Sequence, residues 1–89
     1  MNFIAIIGIV DSLRQIKNDN SSTLKVRVEK PMLETNDEDW YELVKINLDK
    51  DIFQEEIKFL SKGSIVGIKG RIRCVNQNMQ LIGERIQVF

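Results

Sequence analysis

Alternating apolar and polar positions divide most of the chain into short segments that read as strands. Residues 24–30 alternate Leu24, Val26 and Val28 with charged side chains, and residues 64–75 carry apolar side chains on one face and cations on the other. A period of two residues is typical of a strand with one buried face. We therefore predict strands at residues 3–10, 24–30, 40–48, 64–75 and 79–89.

One segment between the third and fourth predicted strands has the pattern of a helix. Its apolar side chains recur at helical spacing, at Ile52, Phe53, Ile57 and Leu60. We predict Asp51 as the N-cap residue, with Gln54 as its capping-box partner three residues later. Gly63 suits the left-handed position just past the end of a helix.

Polar segments and turn-forming residues separate these elements. Residues 11–22 read as a polar connection, Pro31 is expected to end the pairing of the second strand, and residues 34–39 form an acidic loop. The stretch 76–78 reads as a short polar hairpin turn. Gly83 is expected at a bulge, because the residues before and after it do not share one phase.

Composition indicates one small globular domain over residues 1–89, because hydrophobic residues make up 43% and charged residues 29% of the chain. The single cysteine, Cys74, excludes an internal disulfide and falls on the predicted buried face of its strand, which fits a cytoplasmic protein. The chain has no histidine and no carboxylate cluster near the cysteine. We predict no metal, no cofactor and no enzymatic activity.

The charge distribution is more informative than the formal net charge of +0. Lys69, Arg71 and Arg73 form a row on the polar face of one predicted strand, and Lys25 and Arg27 lie on another. Such rows suggest a surface for a polyanion, whereas the alternative is a solvated face whose charges serve solubility alone. The residues by themselves leave both possibilities open.

The first predicted strand is apolar on both faces, although a small barrel has one interior. The face that carries Phe3, Ala5, Ile7 and Ile9 should then be covered by another surface. We predict an oligomer interface there. The alternative is that the helix or residues 11–22 cover this face.

Five strands with one helix between the third and fourth are the element order of an OB-fold, a five-stranded Greek-key barrel of the all-β class. The segments MNFIAIIGIV, DWYELVKINL, FLSKGSIVGIKGRIR and GERIQVF resemble the bacterial single-stranded DNA-binding protein family. The resemblance covers nearly the whole chain. It implies sequence-tolerant binding of single-stranded DNA in replication, repair or recombination, by a nucleoid-associated homodimer or homotetramer.

The same resemblance implies roles for individual residues. Trp40 stands where the family commonly places a stacking aromatic, and Tyr41, in the phase of Leu43, is the better candidate for the core. Backbone phosphates would be contacted by Lys25, Arg27, Lys69, Arg71 and Arg73.

One departure from the family keeps other functions open. Family members continue into a flexible linker with an acidic tip that recruits replication enzymes, whereas this sequence stops at Phe89, so we expect no such recruitment. A primosomal replication protein, a short relative that helps to load the helicase, is one alternative. An OB-fold interaction module that binds no nucleic acid is the other.

Overall fold

The computed structural model describes residues 1–15, 21–30 and 40–89. In these ranges the chain forms five strands and one short helix: β1 (Ile4–Gln15), β2 (Ser21–Glu29), β3 (Tyr41–Asp49), α1 (Gln54–Phe59), β4 (Ile65–Val75) and β5 (Asn78–Val88). The predicted element order is confirmed. The expectations for Pro31 and for the acidic loop at 34–39 fall outside the described residues.

The strands close into a barrel in the order β1-β2-β3-β5-β4. All neighbouring pairs are antiparallel except β3 and β5, which run parallel and meet at Asn47 and Ile82. A closed five-stranded barrel with a helix between β3 and β4 is the predicted OB-fold.

The inward faces of the strands form one hydrophobic core. Burying an aliphatic side chain of this kind contributes about 1.5–3 kcal/mol. Gly83 faces this core, where an added Cβ would lie 2.5 Å from Leu48 Cδ2, so a side chain does not fit without movement. The buried apolar residues are Val10, Leu24, Val26, Ile46, Leu48, Phe53, Val66 and Ile68.

β1 is longer than predicted because a bulge changes its phase. Val10 pairs with Val26, and the next pair is Ser12 with Lys25, which leaves Asp11 as the extra residue. The inward-facing residue after Val10 is therefore Leu13, three positions later. A search for a period of two residues ends the strand at Val10 for this reason. The predicted connection at 11–22 is wrong at both ends, since β1 reaches Gln15 and β2 begins at Ser21.

Two predicted core positions are on the outside. Tyr41 is 42% exposed, because the inward phase of β3 is that of Val44, Ile46 and Leu48. Cys74 is also exposed. It lies near the end of β4, where the hairpin extends past the core and the residues from Arg73 to Val75 are all exposed.

Both ends of the helix differ from the prediction. No side chain caps α1, and the carboxylate of Asp49, not Asp51, accepts hydrogen bonds from the backbone N–H groups of Asp51 and Ile52. The predicted N-cap is therefore wrong. Gly63 has the predicted positive φ, 96°, but it lies in the turn where the Ser64 N–H donates to the Ser61 carbonyl, beyond the extended Leu60 that ends α1. Its own N–H donates to the Val10 carbonyl.

The β4–β5 hairpin is as short as predicted. Asn76 and Gln77 both have positive φ, which fits the type I′ turn of two-residue hairpins. Further along, Lys69 pairs with Arg85 and Gly70 pairs with Gly83. The extra residue between these pairs confirms a bulge beside Gly83.

Candidate nucleic-acid interface

The outer faces of β1, β2 and β3 form a groove that reaches the β4–β5 hairpin. Its volume is about 660 Å³, and the described residues of its walls include three cations, Arg14, Lys25 and Lys45, and no carboxylate. We call it the basic groove. The other lining residues are Ser12, Thr23, Asn47, Met79, Gln80 and Leu81.

Strand register brings two of these cations together. Lys25 and Lys45 are direct partners in the β2–β3 ladder, and like charges in that position destabilise a sheet. Within the described ranges no carboxylate forms an ion pair with Arg14, Lys25 or Lys45. An anion bound across the groove would relieve this repulsion.

A second groove of about 490 Å³ lies between β3 and the β4–β5 pair and contains Arg71 and Arg73. We call it the β4–β5 groove. Both arginines already have partners: Arg71 Nε lies 3.9 Å from Glu84 Oε2, and Arg73 Nη2 donates to Gln80 Oε1 at 2.9 Å. Asn47 lines this groove and the basic groove, so the two are contiguous.

Trp40 lies immediately before β3, and 67% of its surface is exposed. Its carbonyl accepts a hydrogen bond from the Lys30 N–H at 2.9 Å, which holds the backbone at the end of the β2–β3 ladder. The exposure expected of a stacking platform is confirmed, and the stacking role stays a prediction. Trp40 helps to form a third cavity, the aromatic cavity, lined by Ile7, Gly8, Ile9, Arg27, Glu29, Trp40, Tyr41 and Ile65.

Arg27 belongs to the aromatic cavity and does not line the basic groove. Its guanidinium carbon lies 5.4 Å from the centroid of the Tyr41 ring, a cation–π distance. Its Nε is 4.0 Å from Asp11 Oδ1. The guanidinium thus lies near both a ring and a carboxylate.

The structure thus distributes the predicted nucleic-acid-binding residues over several places. Lys25 lies in the basic groove, Trp40 and Arg27 line the aromatic cavity, and Arg71 and Arg73 line the β4–β5 groove. Lys69 lines none of the three and lies between Ala5 of β1 and Arg85 of β5 in the ladders.

Sequence reasoning missed Arg14 and Lys45, two of the three cations in the basic groove. Arg14 lies beyond the β1 bulge, in a stretch that the sequence assigns to a connection. The sequence did contain an indication for Lys45. It shares the phase of Tyr41 and Leu43, and a lysine there conflicts with an inward-facing apolar phase in β3. That phase is the outer one.

The apolar stripe of β1, formed by Phe3, Ala5, Ile7 and Ile9, is exposed along its whole length. The ladder between β1 and β2 begins at Ile9, so no described strand pairs with residues 4–8 on the side away from β4. An exposed stripe beside an open strand edge is suited to association. Its role as an oligomer interface stays a prediction.

Two further features concern other kinds of site. Among the residues that the structure describes, no helix is long and apolar enough to cross a bilayer. In the same ranges, no three cysteine or carboxylate side chains come together as a group that could hold a metal ion.

No protein-family model matches this sequence, and no curated protein matches it closely. Solved structures do match the fold. The dimeric N-terminal domain of the PriB protein from Thermoanaerobacter tencongensis is similar, with a TM-score of 0.71 at 20% identity over 99% of this chain and 96% of that chain.

Two further structures with a similar fold are those of single-stranded DNA-binding proteins. The small single-stranded DNA-binding protein from Streptomyces coelicolor gives a TM-score of 0.68 at 16% identity and covers 100% of this chain and 94% of its own. A mitochondrial single-stranded DNA-binding protein from S. cerevisiae gives 0.73 at 10% identity, over 98% and 92%. At these identities the likeness establishes the OB-fold.

Proposed function

We propose that this protein binds single-stranded DNA with little sequence preference. The observation that carries the proposal is the basic groove, where three cations without carboxylate partners line the outer face of β1, β2 and β3. In an OB-fold this face and the β4–β5 hairpin are where oligonucleotides bind. The fold shared with single-stranded DNA-binding proteins supports the same function.

The chemistry of the groove fits a phosphate backbone. Arg14, Lys25 and Lys45 would neutralise phosphates and release counterions, which makes the affinity depend on salt. The hydroxyl and amide side chains of Thr23 and Asn47 are hydrogen-bond donors that add contacts to phosphate or sugar oxygens. None of these contacts distinguishes one base from another.

Single strands are favoured over duplex because their bases are free to stack. Trp40 offers an exposed ring, and a stacked base contributes roughly 1–3 kcal/mol. A duplex keeps its bases stacked on each other, so it would use the cations alone.

We further propose that copies of the chain associate through the apolar stripe of β1, as a homodimer or a homotetramer. Closed homo-oligomers commonly bury the same patch of each subunit. Two copies would place two basic grooves on one strand, which increases the affinity for long oligonucleotides.

The cellular role is proposed to lie in replication, repair or recombination. A primosomal role is the second candidate, because the PriB domain shares this fold as the single-stranded DNA-binding proteins do. Binding to single-stranded DNA is common to both proposals.

A titration of dye-labelled oligothymidylate of graded length, followed by fluorescence anisotropy, tests the common function. We expect binding that weakens with salt at a slope of about −0.7 per phosphate neutralised, and much weaker binding to duplex. Equal affinity for single strands and duplex would contradict the proposal. An absence of any binding would favour the interaction module.

A further inference from the structure

Among the residues that the structure describes, the aromatic cavity combines flat apolar walls with two charged side chains of opposite sign. Its volume is about 370 Å³, within the range of small-ligand sites. We infer that it is a pocket for one guanine base of the bound strand. This inference rests on the proposed function, because it assigns one nucleotide position on the same protein surface. Ile7 and Ile9 belong both to the cavity and to the apolar stripe of β1, so the pocket requires an oligomer that leaves its aromatic and charged side chains accessible.

The walls suit the face of a base. The exposed Trp40 ring and the half-exposed Tyr41 ring lie at one end of the β2–β3 ladder, and Ile65 adds apolar surface from β4. Every base has a π-face that stacks on such rings, so the walls alone favour any base.

Glu29 adds an acceptor at the edge of this cavity. It is the direct partner of Tyr41 in the ladder, and its carboxylate forms no ion pair or hydrogen bond with a described residue. An ionised carboxylate accepts hydrogen bonds through two oxygens and donates none. A ligand at this position must therefore supply donors, and two adjacent donors use both oxygens.

Arg27 adds donors from the same outer face of β2, two residues away. Its Nε is buried and without a hydrogen-bond partner, so a ligand would be met by the outer Nη donors of this side chain, which is 32% exposed. Its guanidinium is held over Tyr41, and such a planar group donates to paired acceptors. A ligand beside it gains from carrying acceptors.

Guanine is the base that meets both requirements. Its N1–H and N2–H groups are adjacent donors for a carboxylate, and its O6 and N7 are paired acceptors for a guanidinium. Adenine and cytosine each carry one amino group beside an acceptor nitrogen, and thymine has one N–H between two carbonyls. None of these three offers a carboxylate two adjacent donors.

The test compares labelled oligothymidylates of about twelve nucleotides that carry one central substitution. The substituted base is guanine, hypoxanthine, adenine or cytosine, and anisotropy is recorded at fixed salt. We expect the guanine oligonucleotide to bind about fivefold or more tightly than the others. Hypoxanthine keeps O6, N7 and N1–H but lacks the N2 amine, so it should lose most of this preference.

The protein variants are Glu29→Gln and the matched control Glu42→Gln. Both remove one exposed carboxylate near the same end of the sheet, and Glu42 does not line the cavity. Glu29→Gln should remove the guanine preference, and its effect on plain oligothymidylate should match that of Glu42→Gln, because each variant removes one negative charge. Glu42→Gln should keep the guanine preference.

The outcomes separate this inference from the proposed function. If no oligonucleotide binds, the proposed function fails. If all bind equally, or if Glu29→Gln strengthens every oligonucleotide alike, the guanine pocket is wrong and single-stranded binding stands. A change in Trp40 emission with protein concentration alone, together with equal affinities, would assign the cavity to a second copy and overturn the pocket.

Discussion

The basic groove and the row of cations on β4 carry the same number of positive charges and differ in what surrounds them. Arg71 is paired with the carboxylate of Glu84 and the β4–β5 groove also holds Asp49, whereas among the described residues Lys25 faces Lys45 across the ladder without a carboxylate partner. A charge that already has a partner gains less from a phosphate than one held against a like charge. The charge that matters for binding is therefore the one left uncompensated by the fold.

The largest effect is expected when each set of cations is removed in turn, which tests which set contributes more to DNA binding. The triple variant Arg14→Ala, Lys25→Ala and Lys45→Ala should lose about a hundredfold in affinity for oligothymidylate at low salt. Its salt slope should fall by about two, because each of the three cations contributes about 0.7 on a single strand. Salt titrations by anisotropy measure both quantities.

The matched control is the triple variant Lys69→Ala, Arg71→Ala and Arg73→Ala, which removes the same charge from β4. Its slope should fall by about 1.4 or less, because Arg71 is already paired with a carboxylate, whereas the neutral Gln80 amide leaves the charge of Arg73 uncompensated. A larger loss in the β4 variant than in the groove variant would reverse the assignment.

Stacking can be separated from charge at Trp40. Trp40→Ala should weaken binding by roughly 1–3 kcal/mol and leave the salt slope nearly unchanged, because no phosphate contact is lost. Phe59→Ala is the control, since Phe59 is exposed to a similar extent, 68% against 67%, and lines none of the three cavities. Circular dichroism checks the fold of both variants. If Trp40→Ala binds like the wild type, the stacking role is refuted.

β1 lies between the two regions in the barrel, and its stripe tests whether association extends the binding surface. Ile7→Glu should give a monomer, because a carboxylate buried in that contact would lack a partner. Its affinity for long oligonucleotides should fall by about tenfold, more than for short ones. Sedimentation equilibrium measures the mass.

Ile52→Glu is the control for association, because Ile52 is 69% exposed against 71% for Ile7 and lies outside β1. It should keep the wild-type mass. A wild-type chain that is monomeric at micromolar concentration would contradict the proposed interface directly.

The smallest expected effect concerns the partner of Arg71. Glu84→Gln removes the carboxylate 3.9 Å from Arg71 Nε and should raise the affinity by about twofold, because exposed ion pairs of this kind are weak. The salt slope should become slightly steeper as the freed arginine contacts a phosphate. An unchanged affinity would mean that Arg71 lies away from the path of the strand.

The sequence by itself determined the element order and the OB-fold, because both follow from local periodicity. These signals depend on residues close together in the chain: the period of two within each β-strand, the helical spacing between β3 and β4, and the left-handed glycine at Gly63. The apolar stripe of β1 was also evident, since excess hydrophobicity on two faces is visible without knowing the partner strands.

The tertiary structure decided which charges act together. The bulge at Asp11 shifts the phase of β1 and brings Arg14 onto the outer face, and the β2–β3 register sets Lys45 against Lys25. Neither a bulge nor a register between distant segments is encoded in the alternation of a single strand. For the same reason Tyr41 was assigned to the wrong face: the inward phase of β3 depends on which residues meet the other strands of the barrel.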